Sequence, residues 1–182
     1  MSEQIGNRVP SPLSRDANER LINMPRLLEG MQRAGLDAAV VASPENFFYA
    51  SSAKIVTQSL IRDRLAIALV TADGAVSLVV CQAEESVTRR YSWVDDIRTY
   101  VEFHESPMHA LATLLADKGL ARAKIGVEKK FVTAAYFEEL ARLVPQARLD
   151  SCDQAFDRAR MVKTPAEIAR LREAARVTDA AI

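Results

Sequence analysis

The sequence predicts a mixed α/β domain: a mostly parallel sheet of five or six strands, one antiparallel hairpin, and helices on both faces. Three observations predict it. The stretch "LDAAVVA", residues 36–42, is an apolar run of strand length, the signature of a strand buried on both faces in a parallel sheet. "RLAIALVTADGAVSLVV", residues 64–80, sets two runs of strand-forming residues around Asp73-Gly74, a favoured hairpin turn pair. Beyond it, helix-length and strand-length segments alternate, which implies right-handed crossovers onto a largely parallel sheet.

Taken in order, a first amphipathic helix is expected over Asn18–Ala34, with Leu21, Met24, Leu28 and Met31 on one face, a split or kink at Pro25, and Gly35 as its stop. Strand one follows at Ala38–Ala42. Ser43 and Pro44 then supply a cap and a first helical residue for a short helix, before a loop from Ser51 to Ser59. After the hairpin come a helix near Ala83–Tyr91, a strand near Ile97–Val101, a helix over Pro107–Lys118 stopped by Gly119, and a strand at Lys124–Val127. A helix over Thr133–Leu143, a short strand at Ala147–Leu149 and a short helix over Cys152–Ala159 complete the alternation. The last segment, "MVKTPAEIARLREAARVTDAAI", has a strong helix start: Thr164 as cap, Pro165 at the first position, and Glu167 closing a capping box. No glycine, asparagine or proline stop follows, as expected of a frayed terminus or of a helix cut within its length.

Composition narrows the function classes. With 182 residues and 49% hydrophobic content, the chain can build one real core. Lys plus Arg and Asp plus Glu number 24 each, so no net positive field favours nucleic acid or an anionic membrane. Cys81 and Cys152 lie far apart and form no metal-binding pair, which fits reduced thiols in the cytoplasm. The opening "MSEQIGNRVPSPLSR" lacks the apolar run of a signal peptide and reads as an N-terminal arm.

The chain lacks the glycine-rich loops of nucleotide binding, the H-E-x-x-H zinc motif and the G-x-S-x-G elbow. His104 and His109 are its only histidines; their spacing and Pro107 between them fit a solvated loop before a helix better than a metal site. The acidic residues Asp95, Asp96, Glu102, Asp150, Asp153 and Asp157 are scattered and read as solvated or helix-capping groups. Two places stand out. Ser43 and Glu128 follow parallel strands, at the sheet end where open α/β folds bind ligands, although capping and surface pairing also explain them. Arg62, Asp63 and Arg64 sit between a long loop and a strand, where a guanidinium fork could clamp a carboxylate; the plain alternative is a surface charge cluster.

Three stretches, "RLLEGMQRAGLDAAVVASPENFFYASS", "KIGVEKKFVTAAYFEEL" and "ARMVKTPAEIARLREAARVTDAAI", together resemble the amino-terminal domain of the creatinase/prolidase superfamily, the pita-bread metallohydrolases. The likeness covers residues 18–182. One departure is "YASS" at 49–52, where many relatives read Tyr-Leu-Thr-Gly. The resemblance implies a ribonuclease H-like fold and a three-part layout: an arm over 1–17, a non-catalytic α/β domain over 18–160, and over 161–182 an inter-domain linker with the start of a catalytic domain's first helix. It further implies that the intact protein hydrolyses an Xaa-Pro peptide or a small C–N amide or amidine substrate. Two divalent metal ions (Mn, Co or Zn) would be held by two aspartates, a histidine and two glutamates beyond this chain, with no catalytic residue or cofactor within it. Such domains support homodimers and help close the substrate pocket. In creatinase-like members an arginine from the region matching Arg62 and Arg64 contacts the substrate carboxylate. The rival reading is a peptide- or protein-binding module of a pseudo-enzyme.

Overall fold

The computed structural model describes residues 20–61 and 63–181. The expected arm over 1–17, the first two residues of the expected first helix, Arg62 and Ile182 lie outside the described residues.

Among the described residues six strands form one sheet: β1 (Ala38–Val41), β2 (Ile67–Thr71), β3 (Val76–Cys81), β4 (Ile97–Tyr100), β5 (Lys124–Val127) and β6 (Arg148–Ser151), in the order β4-β3-β2-β1-β5-β6. β2 is antiparallel to β3, as the Asp73-Gly74 turn requires, and also to β1. The pairs β1/β5, β3/β4 and β5/β6 are parallel. Gly74, at φ 85, takes a turn conformation that a side chain would strain.

Among the described residues there are eight α-helices: α1 (Met24–Ala34), α2 (Pro44–Ser51), α3 (Val56–Leu60), α4 (Glu85–Tyr91), α5 (Pro107–Asp117), α6 (Ala134–Leu143), α7 (Asp153–Met161) and α8 (Pro165–Ala180). Strand alternation divides the interior into two cores. Ala39, Val41, Ala68, Val70, Leu78 and Val80 face Leu27 and Met31 of α1, Phe47 of α2 and Phe156 of α7. Ala38, Val40, Ile67, Leu69, Val79 and Val127 face Leu111, Leu114 and Leu115 of α5 and Leu140 of α6. Both faces of β1, β2 and β3 are therefore buried, which is why those segments read as continuous apolar runs.

Two expectations need correction. The first helix begins at Met24 and is not kinked: Pro25 occupies its first turn, where no intrahelical N–H is needed, and Asn23 accepts from Arg26 N as the cap. Its buried face is consequently Leu27, Gly30 and Met31. Gly30 has no Cβ, and one built there would lie 3.1 Å from Ala155, so α1 and α7 pack at close range. The expected loop from Ser51 to Ser59 contains α3, a single short helix without a side-chain cap, too short to show periodicity.

α8 has the predicted capping box: Glu167 N donates to Thr164 Oγ1 at 3.1 Å and Thr164 N to Glu167 Oε2 at 2.8 Å. None of its residues is buried, and Leu171 and Val177 are largely exposed.

Candidate functional site

The parallel neighbours β1 and β5 end side by side, while the chain leaving β1 crosses to β2 on its other edge. Strand order reverses here, so a crevice opens beyond the strand ends. It is a cleft of about 670 Å³, lined by the start of α2 (Pro44, Glu45), by α3 (Gln58, Leu60) and by the segment leaving β5 (Lys130, Phe131) among others.

Both residues expected at this end of the sheet are present, in structural roles. Ser43 caps α2, accepting from Asn46 N at 3.2 Å. Glu128 is buried, and its carboxylate accepts from Ala42 N and Ser43 N at 2.8 Å each and from Asn46 Nδ2 at 2.6 Å. Arg160 Nη1 donates to Asn46 Oδ1 at 3.0 Å, so one buried carboxylate joins the end of β5, the start of α2 and the end of α7. A negative charge at a helix N-terminus that receives these donors is well placed electrostatically.

Gln58, within the span read as loop, was not singled out by sequence. Its Nε2 donates to Ala42 O at 2.5 Å and Ala66 O at 3.0 Å, tying α3 to the end of β1 and the approach to β2. A lone glutamine in a polar-looking segment carries no periodic or motif signal.

Arg64 lies on the approach to β2 and is mostly buried. Its fork closes on Glu102, with Nε to Oε1 at 2.9 Å and Nη2 to Oε2 at 2.5 Å, and Nη1 reaches Glu84 at 3.4 Å. The Glu102 hydrogen bond raises its pKa above the ordinary arginine value. Thr57 of α3 donates to the same Glu84 oxygen at 2.5 Å, so one cluster links α3, β2's approach and the turn after β4. That turn exposes Phe103 at φ 65. The partnership with Glu102 spans 38 positions, out of reach of any local pattern.

The histidines do not converge. His104 is exposed in the turn after β4, and His109 Nδ1 sits 3.4 Å from Glu139 Oε1 on α6. Among the described residues no group of three or more His, Cys, Asp or Glu side chains could hold a metal ion, so the described residues do not fit a metal pair. No described helix is long and apolar enough to cross a membrane. Of the scattered acids, Asp96 is the most engaged. Burial pushes its pKa up, but Lys118, Ser77 and Arg98 together outweigh this and hold it at about 2.

Residues 24–162, well over half the chain, match the family described as the creatinase/prolidase N-terminal domain. The chain belongs to this family. As a creatinase/prolidase N-terminal domain it is 25% identical over 154 residues to YkvY of Bacillus subtilis, a protein named as a candidate dipeptidase, covering 85% of this chain and 41% of that protein. Its fold matches a dipeptidase from Pyrococcus horikoshii with TM-score 0.67 at 19% identity, over 86% of this chain and 41% of the other. It also matches the isolated N-terminal domain of an Xaa-Pro dipeptidase from Lactobacillus brevis, with TM-score 0.60 at 14% identity, over 74% of this chain and 97% of that domain. The chain thus spans about 41% of the length of its full-length relatives. The family match ends before α8, which begins at Pro165.

Proposed function

We propose that this chain is the non-catalytic N-terminal domain of a cytoplasmic two-metal hydrolase acting on an Xaa-Pro peptide or a small C–N amide or amidine substrate. In this reading it contributes to a homodimer and to closure of the substrate pocket. The observation that carries it is the pair of coverages: 97% of an isolated N-terminal domain of an Xaa-Pro dipeptidase, against 41% of a full-length dipeptidase. The unpacked apolar side chains of α8 support a helix that continues into a second domain. When bound, the metal pair would supply an activated water in that domain, on residues outside this chain.

The layout follows: an arm over 1–17, the α/β domain over 18–160, and over 161–182 the linker with the start of the catalytic domain. Arg62 and Arg64 are the proposed substrate-carboxylate residues of the intact enzyme. For Arg64 this means exchanging Glu102 for the substrate, since its fork is occupied in the free domain.

Two measurements test the reading. The codons that follow Ile182 should encode two aspartates, a histidine and two glutamates of a metal site, and their loss would overturn the enzyme in favour of a binding module. In the full-length enzyme, Arg→Ala at a true carboxylate contact should lower kcat/KM roughly tenfold or more, with only partial recovery by Lys. Unchanged kcat/KM in both alanine variants would remove the two arginines from the site.

A further inference from the structure

α8 leaves the domain beside a groove of about 630 Å³ that separates Leu171 and Ala174 from Leu21, Phe48 and Tyr49. Side chains that face a void gain little from packing, so packing does not fix the direction of this helix. The last buried residue of the chain's described part is Ala159; from Arg160 to Ala181 none is buried. Whatever sets the direction of α8 therefore acts at its root, the joint of Val162, Lys163 and Thr164 between α7 and α8.

Two ties at the joint are local. Lys163 Nζ donates to Arg160 O at 2.5 Å, and the Thr164–Glu167 capping box closes the first turn of α8. The tie to the interior is the Arg160 side chain. Its Nη1 donates to Asn46 Oδ1 at 3.0 Å, and Asn46 Nδ2 donates to Glu128 Oε1 at 2.6 Å. The Asn46 amide cannot be reversed between these partners, because a guanidinium only donates and a carboxylate only accepts. Glu128 Oε2 is in turn held by Ala42 N and Ser43 N. A continuous line of hydrogen bonds thus runs from the end of β1 to the last turn of α7. Asn46 and Glu128 are buried, so breaking the line would leave a buried group unpaired. Tyr49 stands beside it: burial raises its pKa, the Asn23 N–H lowers it, and Glu167 and Arg160 act on it with opposite signs, which sets the first turn of α8 and the end of α7 about one hydroxyl.

We propose that Glu128, Asn46 and Arg160 form a positioning relay that sets the angle at which α8 leaves the domain. With the relay closed, the last turn of α7 is anchored to the sheet end, and the joint starts from a fixed point. Without the Arg160 side chain, only the two local ties remain. These hold the joint to its own neighbours and not to the domain, so Val162 becomes a hinge. The relay needs only this chain and goes beyond the hydrolase reading, so its failure leaves the test by downstream metal ligands untouched.

The test is pulsed electron paramagnetic resonance on the full chain with nitroxide labels at Thr113→Cys on α5 and Arg172→Cys on α8, both exposed positions, whereas Cys81 and Cys152 are buried. A second labelled pair, Gln32→Cys on α1 and Thr113→Cys, reports on the domain itself. Expected is a narrow distance distribution for the first pair that Arg160→Ala and Asn46→Ala each broaden roughly twofold, while the second pair keeps its width. Should Asn46→Ala also loosen the start of α2, Arg160→Ala decides, because it leaves Asn46 on Glu128. Equal widths for the first pair with and without Arg160→Ala overturn the proposal. So does broadening of both pairs alike by Arg160→Ala, which would show a general loosening, and so does a folded Asn46→Ala variant that leaves the first pair unchanged.

Discussion

Ser52 is one of two non-glycine residues at positive φ among the described residues, with Phe103. It closes α2 at φ 61 and ψ 4, a left-handed conformation in which a Cβ costs about 1–2 kcal/mol, and its buried hydroxyl has no partner. It falls at the end of "YASS", where the family resemblance has glycine. Ser52→Gly should therefore stabilise the domain by roughly 1 kcal/mol, after allowance for the added freedom of the unfolded chain. Ser52→Ala should recover only the share due to the hydroxyl. Urea midpoints of the two variants separate backbone strain from desolvation, and an Ala variant as stable as the Gly variant would refute the strain. Asp96 makes a pH-dependent counterpart. Its folded pKa of about 2 lies below the ordinary 3.8, so its contribution is fully present above about pH 5 and is lost as pH falls through 4 toward 2. With 29% of the side chain exposed, solvent screening limits this to on the order of 1 kcal/mol. Asp96→Asn should be less stable than wild type at pH 6, and the gap should close toward pH 2 in chemical denaturation. The acid was visible in sequence; its convergence with Lys118 and Ser77 was not, because each partner lies on a different element.

Elements were legible wherever local chemistry specifies them. β5 falls at Lys124–Val127 as read, the hairpin turns at Asp73-Gly74, and Ser43 and Thr164 cap the helices that follow them, as do Ser106 and Thr133, which the sequence reading does not name as caps. α3 and the exact start of α1 were not legible, since a five-residue helix leaves no periodic trace and Pro25 reads equally as a break or a start. Packing between elements explains Gly126 in β5. A Cβ there would lie 2.6 Å from Cys152 Cβ and 2.7 Å from Leu36 Cδ1, so Gly126→Ala should cost roughly 1–3 kcal/mol in thermal or urea unfolding. Adding Cys152→Ala should not rescue it, because the collision is with the Cβ that alanine retains. α8 has the opposite character: a strong start and no buried residue. Its amides beyond about Arg176 should exchange quickly with deuterium, and those near the Thr164 capping box more slowly. Uniformly strong protection to Ala180 in a verified monomer would show that α8 is held by something other than its own hydrogen bonds.

At the scale of the molecule, the chain has a two-sided core, and if the metal ligands lie beyond it as proposed, the domain should fold yet be catalytically silent. Incubation with manganese, cobalt or zinc and a set of Xaa-Pro peptides or creatine should give no turnover above buffer; chelator-sensitive hydrolysis would refute this. The sequence by itself determined the α/β class, the order of its elements, the hairpin and the family, because each rests on short-range chemistry: apolar runs of strand length, turn pairs, caps, and the ordered stretches ending in "KTPAEI". Only the tertiary structure decided that β2 is antiparallel to both its neighbours, that Arg64 is held by Glu102, that Glu128 secures the start of α2, and that Gln58 ties α3 to the end of β1 and the approach to β2. These depend on contacts between residues far apart in the chain. Their partners are chosen by which faces must be buried together and which buried polar groups must be paired, a choice made only when the whole sheet and its helices are assembled.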